Sequence, residues 1–339
     1  MDQKKRMNPS LPNVCQIWAH ATSTIASMKE AIHNDRITAI EGDICMGHCI
    51  RNENDNDDDD TRLRNKRKDD NDDTIPIMAH PPDRESDLSF TDFFQLAIPN
   101  NTLQKHLKLD FKEVNTLEPC LHLVTSQNFL MGTKYIILNA DILPGPGRTN
   151  KDMTISATQF CHACHQAIST SSSSKNFALS LGWKVDVCCI YGYQQSHIDD
   201  MIKVIEEHQL LDYAGITLAV NARLLSKNMT PFQLFLESYP DTQLLCWVGS
   251  GEPPIPWRKV NRIQLYFTER GFNDRVGFDV KATNLLLGTL WDILIWIIGL
   301  YKVIRDHSFW NTLGFTTSTG STNAKHQSLS DYKRERKLQ

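Results

Sequence analysis

This 339-residue chain lacks the commonest cofactor and nucleophile signatures. It has no P-loop, no dinucleotide-binding glycine fingerprint and no nucleophile elbow, so the usual nucleotide-, NAD- and serine-hydrolase readings have nothing to rest on. Met1 to Pro12 is polar and lacks the apolar core of a secretory signal. The nine cysteines are an odd number without framework spacing, which predicts reduced thiols and a cytoplasmic protein. An extracellular location is expected only if the sequence is missing its true signal peptide. In that case the sequons at Asn100-Asn101-Thr102 and Asn228-Met229-Thr230 would regain meaning. A basic excess is also absent: the formal net charge is −4, and nothing in it points to nucleic acid. Cys161-His162-Ala163-Cys164-His165 has the C-x-x-C-H form, but no second ligand pair lies at finger spacing, so neither haem nor zinc is expected.

What remains is an ordinary globular composition, 40 % hydrophobic and 22 % charged, with strands and helices in alternation from Val14 onward. A strand ending near His20 is followed by a helical run over 23–34. Further strand candidates lie at 39–44, 75–80, 106–112, 134–141, 177–183, 215–221, 244–249 and 276–280. Repeated β-then-α predicts a parallel α/β sheet, and the length suits a (β/α)8 TIM-type barrel as one unit over 14–304. Nine candidates for eight barrel strands make one of them an extra or edge strand. Residues 1–13 and 305–339 are read as tails. Between Asn52 and Asp73, ten acidic and five basic residues surround almost no apolar side chain. That segment cannot bury enough surface to order itself and is expected to be a disordered insertion.

Six strand ends carry the chemistry. They read Trp18-Ala19-His20, Glu41-Gly42-Asp43, Met78-Ala79-His80, Lys108-Leu109-Asp110-Phe111-Lys112, Asn139-Ala140-Asp141 and Ser180-Leu181-Gly182-Trp183. Side chains two apart on a strand share a face, so Glu41 with Asp43, Asp110 with Lys112, and Asn139 with Asp141 each project together. Polar pairs at successive strand ends are what a site at the mouth of a parallel barrel requires. Two histidines, His20 and His80, can divide the two proton transfers of phosphodiester cleavage. Glu41, Asp43 and Asp110 are the expected ligands of one divalent cation, and all-oxygen ligation favours Mg²⁺ or Ca²⁺. Lys112 is the expected phosphate contact, with Asn139, Asp141 and Trp183 as secondary substrate-binding residues. Lys108 shares the face of Asp110 and reads as a buried counter-charge.

These runs, with Met-Ala-His-Pro-Pro at 78–82 and Asn-Ala-Asp-Ile-Leu-Pro-Gly-Pro at 139–146, resemble the menorin family of animals. That family in turn resembles the phospholipase-C-like phosphodiesterase barrels, including glycerophosphodiester phosphodiesterases and spider-venom phospholipase D enzymes. The resemblance implies a histidine at the first strand end, Glu-x-Asp at the second, a histidine at the third, and an acidic residue with a lysine at the fourth. His20, Glu41, Asp43, His80, Asp110 and Lys112 occupy those places. Without the insertion, Asp43 to His80 shortens from 37 positions to 15, a plausible loop and strand. The chain departs from the His-Arg-Gly start of the glycerophosphodiester enzymes, reading His20-Ala21-Thr22 and so lacking a phosphate-binding arginine. Menorin relatives are better known in tissue patterning than in catalysis. The resemblance therefore implies either a metal-dependent phosphodiesterase acting on a glycerophosphodiester or phospholipid head group, or a non-catalytic protein that holds a ligand or protein partner at the barrel mouth.

The most apolar stretch, over 285–304, is long enough to cross a bilayer, but Asp292 falls well inside it. A charge at that depth would cost about 2.5–3.5 kcal/mol on insertion scales. The expectation is a helix packed on the barrel whose outer face, with Trp291 and Trp296, touches a membrane surface; a spanning anchor is the alternative.

Overall fold

A computed structural model of the chain describes residues 16–50, 74–100, 105–126, 135–170, 176–212, 214–249 and 251–312. The acidic insertion and the N-terminal tail lie outside the described residues, as does the serine-rich segment over 171–175. Eight parallel strands form a nearly closed barrel. In spatial order they are β1 (Trp18–Ala19), β2 (Ala39–Cys49), β5 (His106–Phe111), β6 (Ile136–Pro144), β7 (Phe177–Lys184), β8 (Gly215–Asn221), β9 (Thr242–Trp247) and β11 (Val276–Asp279). Helices cover the outside, among them α1 (Ile25–His33) between β1 and β2. Thr24 fixes the start of α1: its hydroxyl accepts from Ser27 N at 3.0 Å, which satisfies an amide the helix itself cannot. Every residue of β5 and of β8 is buried, as expected of parallel strands covered on both faces.

The ninth strand candidate finds its place outside the barrel. β3 (Ile75–Met78) runs antiparallel to β2, with Ile44 opposite Met78 and Gly47 opposite Ile75. The expectation that the segment ending in His80 is the third barrel strand is thus corrected. β2 continues to Cys49, well beyond the expected end at Ile44, because β3 pairs with that extension. Period-two patterning reports an extended segment but not the direction of its neighbour. β4 (Glu85–Ser86) also lies beside the β2 extension, and a small parallel pair, β10 (Ile255–Pro256) with β12 (Ala282–Thr283), follows the ends of β9 and β11.

The last helix, Leu285–Thr312, extends past the expected end near 304. Its segment up to Trp296 belongs to the unit that holds the barrel, and a second unit, Ile297–Gln339, contains the remainder. The C-x-x-C-H segment is helical, within Ala157–Thr170. Cys161 and Cys164 are buried in the core while His162 and His165 are exposed, so these side chains leave opposite faces of the helix. Burial pushes the Cys161 thiol up to about 12.

Candidate functional site

Strand register brings the polar residues together. Asp43, Asp110, Asn139, Ser180, Thr217 and Gln243 are consecutive cross-strand neighbours from β2 through β9. Neighbouring strands lie about 4.8 Å apart, so this is a continuous row of polar side chains on one face of the sheet. Glu41 pairs with Lys108 in the next row down. Asp279 belongs to another row, opposite Trp247 of β9, which is itself opposite Asn221 of β8. Register offset accumulates around a closed barrel. At the seam the end of β11 therefore meets the residue after β1.

That residue is His20. Its Nδ1 lies 2.7 Å from Glu41 Oε2 and 2.9 Å from Asp279 Oδ2. Burial alone would disfavour the imidazolium, but the close contacts with Asp279 and Glu41 outweigh it and raise the pKa from 6.5 to about 10. His20 is thus a cation at neutral pH with Nδ1 directed at carboxylates, which leaves Nε2 outside that ion pairing. Glu41 is 2 % exposed. Burial would raise its pKa, yet Lys108 (Nζ to Oε1, 3.2 Å) and His20 hold it far below the usual carboxylate range. The backbone helps: Ala21 N donates to Glu41 Oε2 at 3.2 Å, and Ala21 reaches that position with φ of 52°. A positive φ is uncommon for a residue with a Cβ and marks a constrained turn beside the site.

Lys112 bridges the other two acids, its Nζ 2.8 Å from Asp43 Oδ1 and 2.7 Å from Asp110 Oδ2. Its pKa is raised well above normal: burial opposes the ammonium, but Asp110 and Asp43 overcome it. Asp43 is shifted upward, first by burial and further by Asp110 and Glu41, despite the relief from Lys112. Glu41, Asp43 and Asp110 each offer a carboxylate oxygen, all within 4.8 Å of one another. Counting Asp141 and Asp279, five carboxylates surround the three cations His20, Lys108 and Lys112. The surplus negative charge and the hard oxygen donors fit one divalent cation.

The secondary residues divide. Asn139 is 4 % exposed and its Oδ1 lacks a hydrogen-bond partner among the described residues, as does Ser180 Oγ beside it in the row. Asp141 continues the face of Asn139 and is pushed up to about 6, by burial first and then by Asp110. Gly182 leaves the room its carboxylate needs, since a Cβ there would strike Asp141 Oδ1. Trp183 is the expected substrate contact at the end of β7. It is fully buried and packs edge-on against Tyr193 and Phe232, with ring centroids at 5.5 and 5.9 Å. His80 is exposed at the end of the antiparallel strand, its Nδ1 2.6 Å from the Pro81 carbonyl oxygen. A carbonyl only accepts, so that contact fixes the proton on Nδ1 and leaves Nε2 with a lone pair in the neutral ring. His80 stands beside the β2 extension rather than within the ion-pair cluster. The sequence reading passes over Asp279, although its place near the end of the last strand candidate, 276–280, is the available signal.

Residues 58–283 match the Menorin N-terminal domain, about two thirds of the chain. The chain belongs to the menorin family. The match contains His80, Asp110, Lys112, Asn139, Asp141, Trp183 and Asp279, while His20, Glu41 and Asp43 precede it. Protein FAM151B of Homo sapiens is 27 % identical over 242 residues, covering 69 % of this chain and 73 % of its own. Among solved structures, that of oxaloacetate acetylhydrolase in complex with the inhibitor 3,3-difluorooxalacetate is similar at 14 % identity. The alignment covers 65 % of this chain and 67 % of that one, with a TM-score of 0.34.

Proposed function

We propose that this menorin-family protein is a metal-dependent phosphodiesterase acting on a glycerophosphodiester or phospholipid head group. The carrying observation is the convergence of His20, Glu41, Asp43, Asp110 and Lys112 at one barrel mouth through a chain of ion pairs. A resemblance to the phospholipase-C-like barrels supports the same reading. Glu41, Asp43 and Asp110 would hold the cation, Mg²⁺ or Ca²⁺, which when bound would neutralise phosphoryl charge. Lys112 supplies a point charge for a phosphate oxygen, and the unpartnered Asn139 Oδ1 accepts a hydroxyl from the head group.

The contacts and charge of His20 favour the role of acid. An imidazolium with Nδ1 held by two carboxylates donates its Nε2 proton to the leaving oxygen. His80, with Nδ1 directed at Pro81, offers Nε2 as the base that deprotonates the nucleophile. The nucleophile is water or a neighbouring substrate hydroxyl, and the latter gives a cyclic phosphate. The test is a panel of phosphodiesters incubated with purified protein and Mg²⁺ or Ca²⁺, analysed for linear and cyclic products. His20→Ala or His80→Ala should lower turnover by about 10²–10⁴-fold. If wild type turns over no diester yet binds inorganic phosphate in a cation-dependent way, the protein is instead a non-catalytic ligand-holding barrel.

A further inference from the structure

The helix Leu285–Thr312 is not packed as an ordinary covering helix of a barrel. Its most apolar stretch, Leu285–Val303, has mean hydropathy 1.6 and the length to cross a membrane, yet only 17 % of that window is buried. Up to Trp296 the contact with the barrel unit is a narrow stripe: Gly288 and Ile295 are buried, Trp291 and Asp292 partly so. Gly288 sits so close to Pro256 that a Cβ would meet its ring at 2.8 Å. The remaining faces expose Leu285, Leu286, Leu287, Leu290, Ile293 and Leu294 to solvent. A patch of this kind on a soluble monomer needs a covering partner.

Asp292 decides how that helix is held. It pairs with Arg223 Nη1, and Lys259 Nζ lies 2.7 Å from its other oxygen. Arg223 is 1 % exposed and also donates to the Pro253 carbonyl at 2.7 Å. It lies two residues after Asn221, the last residue of β8, so this clasp sits at the same end of the barrel as the candidate site. The connection is short: Asp279, which holds His20, precedes Leu285 by six residues, a span of at most about 20 Å. Crossing a bilayer would carry Asp292 into the hydrocarbon and leave the buried Arg223 guanidinium without its counter-charge. Lying in the membrane plane keeps the clasp in the headgroup region. Between Leu285 and Leu300 only Thr289, Asp292 and two tryptophans carry polar side-chain atoms. The exposed face therefore has almost nothing to specify a protein partner, and it suits an apolar solvent. Trp257 and Arg258, exposed in the first turn of the helix that provides Lys259, border it with an indole and a guanidinium, groups suited to the interface of an anionic bilayer.

We infer that the apolar helix is an in-plane lipid anchor, clasped through Asp292 to Arg223 and Lys259, that turns the barrel mouth to a bilayer surface so that the site takes a phosphodiester still seated in the membrane. The anchor stands on its own geometry, and the choice of substrate rests on the phosphodiesterase reading above. The experiment uses the full chain with phosphatidylcholine vesicles containing phosphatidylserine. Wild type should co-sediment, and the combined variant Leu286→Glu, Leu290→Glu, Ile293→Glu, changed only at exposed positions, should lose at least tenfold in binding. Alkaline carbonate should release the wild type from membranes. Asp292→Asn should keep vesicle binding and turnover of a soluble diester while losing turnover of the vesicle-borne one. Failure to co-sediment, undiminished binding of the triple variant, retention in the carbonate pellet, or a stable dimer that buries this face each overturns the inference. Vesicle binding without turnover of any diester upholds the anchor and removes the catalytic reading beneath it.

Discussion

His20 and Asp279 come from opposite ends of the barrel sequence, and their contact of 2.9 Å spans the seam between β1 and β11. No ladder joins those two strands among the described residues, so this ion pair fastens the first strand end to the last. It also sets the proton of His20. Asp279→Asn removes one of the two carboxylates that raise the imidazolium, so its pKa should fall from about 10 toward 6.5. Histidine-selective NMR titration of the cation-free protein reads this directly, and an unchanged midpoint would sink the assignment.

Cation binding should respond to both acids and their shared lysine. Asp43→Asn or Asp110→Asn removes a candidate ligand and should weaken Mg²⁺ or Ca²⁺ binding by at least tenfold, about 1.4 kcal/mol. Lys112→Met should act in the opposite sense. Its ammonium lies between Asp43 and Asp110, so removing it leaves two crowded carboxylates with no counter-charge but the metal. Isothermal calorimetry should record tighter binding in Lys112→Met and weaker binding in the two acid variants. Identical titrations of wild type and Asp43→Asn would rule out the site.

The parts of this site that were legible in the sequence are those governed by local periodicity. The period-two spacing of Glu41 with Asp43 and of Asp110 with Lys112 put each pair on one face, and register then placed Asp43 opposite Asp110. Two features depended on long-range closure and were not legible. The direction of Ile75–Met78 is set by its pairing with the β2 extension, which displaced His80 from a barrel strand end to an exposed hairpin end. The partnership of Asp279 with His20 depends on register offset summed around eight strands, and no local pattern records that. Trp183 was legible as a strand-end aromatic, but its burial comes from Tyr193, in the loop that follows β7, and from Phe232, in the helix Thr230–Ser238.

Lys108 and Glu41 form a pair whose worth lies in being complete. Their side chains are 6 % and 3 % exposed. Lys108→Met should destabilise the fold by about 3 kcal/mol, because it leaves a buried carboxylate short of its counter-charge. The double variant Lys108→Met, Glu41→Gln should recover most of that loss. Urea unfolding at pH 7 measures both, and a double variant no more stable than Lys108→Met would show that lost packing, not stranded charge, dominates.

Asp141 gives a pH dependence of defined sign. Its carboxyl is raised from 3.8 to about 6, by burial first and the Asp110 charge next, so the folded state binds its proton more tightly than the unfolded state does. Between those two values Asp141 holds more proton in the folded state, so its own contribution to stability falls as pH rises through the window and levels off above about 6. Asn at this position carries no titrating proton and suffers no charge-burial penalty. Asp141→Asn should therefore match the wild type near pH 3.8 and exceed it by about 1–3 kcal/mol at pH 7, the scale of a two-unit shift. The difference between the two proteins isolates this group, since Glu41, Asp43 and the other acids titrate in both. Urea midpoints of the cation-free proteins at intervals from pH 4 to 7 provide the curve. A constant difference across that range would mean that Asp141 ionises no differently when folded, and that its place beside Asn139 carries no electrostatic strain for a substrate or cation to relieve.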